Sequence, residues 1–275
     1  MLILSFLVLF PLLTFQESYG QEDWPERAWT TLSSGLSDTN ADKRSKAVHA
    51  LGLLESNGKA ERDAEKALTD PSAEVRVQAA TALGEIGAKS AEPKLRDAIN
   101  DPDIKVAVAA ANALYTFKDP VAYEVYYALL TGERKGPGLV KSEMNTLRDK
   151  KEVEKLMFET GIGFIPFGGM GWQAYRTLTH DDSSPVRAMA TEKLATDPDP
   201  KTAEALSKAC GDKQWRVRLA AVEAIAKRGN PSLAAPVRAR LFDDNDEVRF
   251  EAAAVVIRLS EKPKAHRKSS LRKSE

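Results

Sequence analysis

Acid–base, metal or nucleophilic chemistry in this chain would have to come from three histidines, one cysteine and forty carboxylates. His49, His180 and His266 stand far apart, and none has a second His or a Cys at the short spacing that puts two donors on one metal ion. No metal is therefore expected. Cys210 is the lone cysteine, so no intrachain disulfide can form. A catalytic thiolate needs a base or cation beside it, and the residues around Cys210 offer no histidine. It reads as a small buried hydrophobe at the end of an apolar helical stretch. The run D-D-N-D-E at 243–247 lacks the alternate ligand spacing and central glycine of a calcium loop, and helix capping explains it better. With so few histidines no Ser-His-Asp arrangement can be argued. The expectation is a protein with no catalytic constellation and no cofactor.

Residues 161–172, G-I-G-F-I-P-F-G-G-M-G-W, hold five glycines, a proline and six apolar side chains. As a phosphate loop the stretch fails: the third glycine of G-x-G-x-x-G would fall on Pro166, no G-K-S/T follows, and no strand precedes it. Proline also removes a backbone donor. Three other readings stay open. The apolar side chains could dip into a membrane interface without spanning it, or the glycines could make a tight reversal between two helices. Alternatively, Phe164, Phe167 and Trp172 could edge a binding patch.

These residues are positioned by a repeat. The segment D-P-S-A-E-V-R-V-Q-A-A-T-A-L-G from Asp70 matches D-N-D-E-V-R-F-E-A-A-A-V-V from Asp244. Val186-Arg187, Val217-Arg218 and Val248-Arg249 recur every 31 residues, and Arg44 and Arg76 are 32 apart. Leu51, Leu83 and Leu114 follow the same period, although Ala107 stands where an Arg should be. Each unit opens on an Asp, runs as an Ala-rich stripe with Val and Leu at helical spacing, and ends at a Gly or Asp-Pro turn. A second amphipathic helix follows, as in A-E-P-K-L-R-D-A-I-N-D. No segment after residue 20 sustains strand alternation. Apolar residues make up 43% and charged residues 29%, which suits a chain that buries a core.

The pattern D-P-x-x-x-V-R-x-x-A-A-x-A-L-G is similar to HEAT repeats, in the short variety of phycobilisome-lyase-like proteins, over roughly residues 38–131 and 181–259. The resemblance implies an all-α fold, a right-handed α–α superhelix of about six helical-hairpin repeats, with second helices lining a concave face. It also implies an Asp–Arg ladder between units, involving Asp70, Asp212 and Asp243 with Arg76, Arg187, Arg218 and Arg249. Repeat similarity carries a scaffold and not a chemistry. The HEAT-type enzyme that hydroxylates deoxyhypusine binds iron through His-Glu pairs, and no His-Glu dipeptide occurs here.

The expected organisation is a signal peptide over 1–20, a capping helix over 21–37, repeats over 38–131, an insertion plus a degenerate repeat over 132–180, repeats over 181–260, and a basic disordered tail over 261–275. Residues 1–15 carry no charged side chain, Pro11 interrupts them, and the small residues Ser18 and Gly20 suit cleavage before Gln21. Export is the expectation, to the periplasm or outside the cell, with an uncleaved membrane anchor as the alternative. Trp29, Leu32 and Leu36 of the capping helix would cover the first unit, while the last unit shows only one clear helix. The tail carries six Lys/Arg against two Glu; nucleic acid or an anionic membrane surface could attract it, and more often such a tail keeps a protein soluble, while the rest of the chain stands at about −4.

Of the fifteen aromatics beyond the signal region, ten fall between Tyr115 and Tyr175. They either fill extra core under the insertion or form a recognition surface. The functional expectation is a non-catalytic scaffold for an unidentified protein partner, without nucleic acid, and with any membrane contact confined to the N-terminal segment. Contact candidates are Tyr123, Tyr126, Tyr127, Phe164, Phe167 and Trp172, together with Trp215, which stands just before a Val-Arg pair. A lyase-like or enzyme-accessory protein handling a small ligand, and an envelope-tethered structural protein, are the alternatives.

Overall fold

A computed structural model describes residues 23–131 and 184–261. Among the described residues there are twelve α-helices and no strand. They are α1 (Trp24–Leu36), α2 (Ala41–Leu51), α3 (Gly58–Ala67), α4 (Ala73–Ile86), α5 (Glu92–Ala98), α6 (Ile104–Thr116), α7 (Val121–Thr131), α8 (Ser184–Lys193), α9 (Pro200–Ala209), α10 (Trp215–Arg228), α11 (Ala234–Arg238) and α12 (Asp246–Ser260). The signal region, the 161–172 stretch, His180 and His266 lie outside the described residues, as do Phe164, Phe167 and Trp172.

The helix starts are chemically explicit. Asn40, Asn57, Asp103, Asp199 and Asn245 each accept a first-turn backbone N–H through the side chain. The repeat Asp does something different from the expected capping. Asp70, Asp101, Asp212 and Asp243 accept the N–H two residues on, from Ser72, Asp103, Gln214 and Asn245. Each thus folds the turn that delivers the true N-cap residue. Gly87 and Gly229 end α4 and α10 at φ +77° and +61°, a conformation that side chains rarely tolerate.

Two layers result. The Val-Arg helices pack side by side in the spatial order α8, α10, α12, α2, α4, α6. Alanines face alanines along this layer, with Ala47, Ala79, Ala80, Ala110, Ala221, Ala253 and their neighbours fully or nearly buried, so the backbones approach closely. The second helices stand further apart outside it. The array therefore curves towards the Val-Arg helices, and these first helices, not the second ones, line the inner face.

The spatial order is not the chain order. The last Val-Arg helix, α12, packs directly on α2 and on α1. Helix α1 lies between α12 and α2 much as α3 lies between α2 and α4, so it supplies the second helix that the last unit lacks in sequence. The expected N-terminal cap is thus an interior element, and the described residues hold six hairpins, one of them built from both ends of the chain. Leu32 and Ala28 are fully buried at this joint, with Phe250 2% exposed. Gly35 is needed for its lack of a side chain: a methyl there would lie 2.5 Å from the Phe250 ring and 2.7 Å from the Ala47 Cβ. Around the rim, Arg258 donates to the Leu53 carbonyl at 2.8 Å and pairs with Glu55 at 3.0 Å. In the outer layer the Arg27 guanidinium stacks on Phe242 from one side of α1, and Lys59 of α3 stacks on Trp29 from the other, 4.6 and 3.8 Å from the ring centroids.

Candidate functional site

The Asp–Arg pairs connect successive units. The Arg44 guanidinium donates two bonds of 2.8 Å to the Asp70 carboxylate, Arg76 donates at 2.7 and 2.8 Å to Asp101, and Arg218 at 2.7 and 2.6 Å to Asp243. Each of these arginines spends its remaining Nη1 donor on backbone carbonyls five and six residues upstream, such as Pro71 and Asp70 for Arg76. One side chain thus ties its own helix start to the next unit's turn. Arg187 pairs with Asp212. Asp70 receives Arg44 and not Arg76, because the pairing reaches forward by one unit. Arg249 breaks the series: its guanidinium pairs with Asp246 of its own helix and donates to the Asp243 carbonyl. Ala107 offers no guanidinium, and Asp119 is held instead by Arg96 of α5 at 2.6 Å. The Arg44 bond holds the Asp70 carboxyl below the usual range. Burial works to raise Asp243, but Arg218 and the Asn245 N–H together hold it low. These charges form a structural framework with its hydrogen bonds filled.

Two other surfaces are not used by that framework. The first is at the α6–α7 end. Tyr115 and Tyr123 meet edge to face with ring centroids 5.7 Å apart, and Tyr115 meets Tyr126 at 5.9 Å. Tyr115, Tyr123 and Tyr127 are 52%, 58% and 38% exposed, while Tyr126 is half-buried and donates its hydroxyl to Asn112 Oδ1. Trp215 is half-buried at the start of α10, under the Arg216 guanidinium, with three inner helices between it and α6 of the tyrosine cluster. The structure brings Tyr123, Tyr126 and Tyr127 together and leaves Trp215 apart.

The second surface escaped the sequence reading. Along the inner layer, carboxylates come from α8 (Glu192), α10 (Glu223), α12 (Glu247 and Glu251) and α4 (Glu85), with His49 of α2 among them. Glu251 is 2% exposed, and its Oε2 has no hydrogen-bond partner. Its Oε1 stands 3.7 Å from His49 Nε2, and His49 Nδ1 lies 3.2 Å from Gln78 Oε1. Burial pushes Glu223 and Glu192 up to about 7, with Glu192 and Glu247 adding repulsion at Glu223. Glu251 is raised by burial and then by Glu223, Glu247 and Glu85, and Glu85, although exposed, is raised by the protein packed around it. A signal was present in the repeat register, since Glu192 and Glu223 each stand five residues after the unit's Arg. Nothing in one isolated unit shows that such positions converge.

Carboxyls raised in the fold favour it most below their unfolded pKa, and stability then falls as pH rises towards the folded values. The midpoint of thermal unfolding is expected to drop between pH 5 and pH 8. In Glu223→Gln/Glu251→Gln this drop should flatten, with a gain on the order of 2 kcal/mol at pH 8. Calorimetry across that range checks it, and a parallel pH profile in the variant would refute it. Cys210 lies apart from this belt and is buried, its thiol pushed up to about 12, so it is no thiolate at neutral pH.

A family model described as HEAT repeats matches residues 61–135 and 175–258. Among solved structures the chain is similar to human deoxyhypusine hydroxylase in complex with glycerol, at 19% identity over 85% of this chain and 84% of that one, with a TM-score of 0.32. It is similar to the complex of CpcE and CpcF of phycocyanin lyase from Nostoc sp., at 20% identity over 89% and 98%, with a TM-score of 0.34. A designed armadillo repeat protein matches at 17% identity over 86% and 100%, with a TM-score of 0.28. No match is found among curated proteins.

Proposed function

Because the chain belongs to the HEAT-repeat family, we propose that it is a non-catalytic scaffold that holds a protein partner on its helical array. The observation that carries this reading is the tyrosine cluster of α6 and α7. Large aromatic side chains, Tyr115, Tyr123 and Tyr127, stand exposed at the α6–α7 end of the described stack. Such groups bury wide apolar area at low entropic cost and dominate the energy of many interfaces. A rigid array adds little ordering cost on binding. The uncharged residues 1–15, with Ser18 and Gly20 behind them, support an exported setting.

The test uses the full chain as bait in envelope extract, beside Tyr115→Ser/Tyr123→Ser/Tyr127→Ser, with circular dichroism confirming equal helix content. The variant is expected to lose the captured protein, with about 2 kcal/mol or more lost per central aromatic. Equal capture by both folded baits would move the partner off the tyrosines. No specific capture by the wild type would remove the scaffold reading itself.

A further inference from the structure

We propose that the cleft between α1 and α3 binds a small carboxylic acid with an apolar body, its carboxylate held by Lys66 and Ser33. This goes beyond the scaffold reading and does not depend on the tyrosine surface.

The cleft has a cause in the repeat register. Helix α1 aligns with the second helices of the other units, because Asp38 accepts the Asn40 N–H at 2.8 Å just as Asp70 accepts that of Ser72. In the next groove along, two contacts bridge α3 and the start of the following second helix. Ser90 donates to Glu61, and Lys94 pairs with Glu65 at 2.5 Å. Counted back from each unit's turn Asp, the equivalent pairs between α1 and α3 are Trp29 with Lys59 and Ser33 with Asp63. The first pair is made, with the Lys59 ammonium 3.8 Å from the Trp29 ring centroid. The second is missing: the Ser33 side chain is short, and Asp63 is held at 2.8 Å by Lys59 of its own helix. A cavity of about 400 Å³ is left where that bridge would stand.

The lining selects the ligand. Val48 and Val75 close the bottom, and the more open Leu36, Ala67 and Pro71 make apolar walls. Three charged side chains line the cavity, and two are already matched. The Asp70 carboxylate is filled by Arg44 and the Ser72 N–H, and Asp63 pairs with Lys59. Lys66, exposed in the last turn of α3, has no ion pair among the described residues. Of the three hydroxyls, Ser37 donates to the Ser33 carbonyl at 2.8 Å and Thr69 to the Lys66 carbonyl at 3.0 Å. The exposed Ser33 hydroxyl has no hydrogen-bond partner among the described residues. An accessible ammonium on one wall and an accessible hydroxyl donor on the other, over an apolar floor, match a carboxylate on a compact apolar body. The volume lies at the small end of ligand sites, which suits a single small molecule.

The test is a titration of the full chain with octanoate, followed by backbone amide shifts in NMR at 0.15 M salt and pH 7. Octylamine carries the opposite charge on the same body. The expected result is saturable octanoate binding with a dissociation constant of about 1 mM or tighter. The shifts should centre on Ser33, Leu36, Lys66 and Thr69, and octylamine should bind there more weakly. Lys66→Gln should weaken octanoate about fivefold or more, while Lys227→Gln, at an exposed last-turn lysine of α10, leaves it unchanged. Ser33→Leu fills the cleft and should abolish binding, with circular dichroism matching the wild type. A short peptide ending in leucine is the third probe. Binding by that peptide and not by octanoate would assign the cleft to a protein partner and overturn the proposal. So would octanoate shifts elsewhere on the array, tighter binding of octylamine, or equal binding by wild type and Lys66→Gln.

Discussion

Removing residues 1–37, and α1 with them, is expected to open the array at its centre rather than trim its end. Helix α1 lies between α12 and α2, it fully buries Ala28 and Leu32, and its Gly35 backbone sits directly against Phe250 and Ala47. Trp24, Trp29 and Leu36 are partly buried against the same core. Losing these contacts and exposing the faces they cover should cost more than about 5 kcal/mol at roughly 25 cal/mol per Å² of apolar area. That is comparable with the whole stability of an ordinary domain. The shortened chain should lose its cooperative unfolding transition and expand in solution scattering. An unchanged transition would mean that α1 is a cap.

A rearranged chain gives the converse result. Residues 184–261 are joined through about six residues, the length of the α2–α3 turn, to residues 23–131. This places α12 and α1 in one continuous hairpin. If the joint holds the halves together, this chain folds cooperatively with the helix content of residues 23–131 and 184–261.

Replacing Arg218 by methionine is expected to be the most damaging single change in the ladder. The Arg218 side chain is 9% exposed and its partner Asp243 is 1% exposed. The substitution leaves a desolvated carboxylate with only Arg240, at 3.2 Å, and the Asn245 N–H. Breaking a buried pair from one side costs about 3–5 kcal/mol, or roughly 10 °C in unfolding midpoint for a chain of this size. The same change at Arg187, whose side chain is 45% exposed, should cost under about 1 kcal/mol. Equal losses at the two positions would contradict this reading. Because Asp243 and Asp70 are held below the ordinary 3.8, their contribution is present above that pH and disappears as pH falls through the lowered values. The difference between wild type and Arg218→Met should therefore narrow in acid.

Much of this molecule could be read from periodicity. The Val-Arg spacing, the Ala stripes and the Gly or Asp-Pro breaks predict helical hairpins because helix packing needs small residues on one face and the backbone needs a break at each turn. The ladder residues were legible as a class, since Asp and Arg recur in phase. Their register was not legible, because pairing forward by one unit depends on how far the array rises per repeat. The role of Asp70 and its equivalents as turn-formers emerges only in the fold: an Asp two residues before a helix and an Asp at its cap look alike in a string of letters.

What the sequence by itself determined is local: which segments are helices, where they break, and that units of about 31 residues repeat. Helical propensity, patterning and turn chemistry act within a few residues, so one unit's letters suffice. Tertiary structure alone decided three things: that α1 completes the last unit, that the tyrosines of α6 and α7 gather at one end, and that Glu251 is buried beside His49 of α2. These join residues from 8 to about 220 positions apart, and no periodicity records which free helix face meets which. The choice was made by burial, as the exposed face of α12 and the unpaired face of α2 both needed a second helix, and α1 could cover both at once.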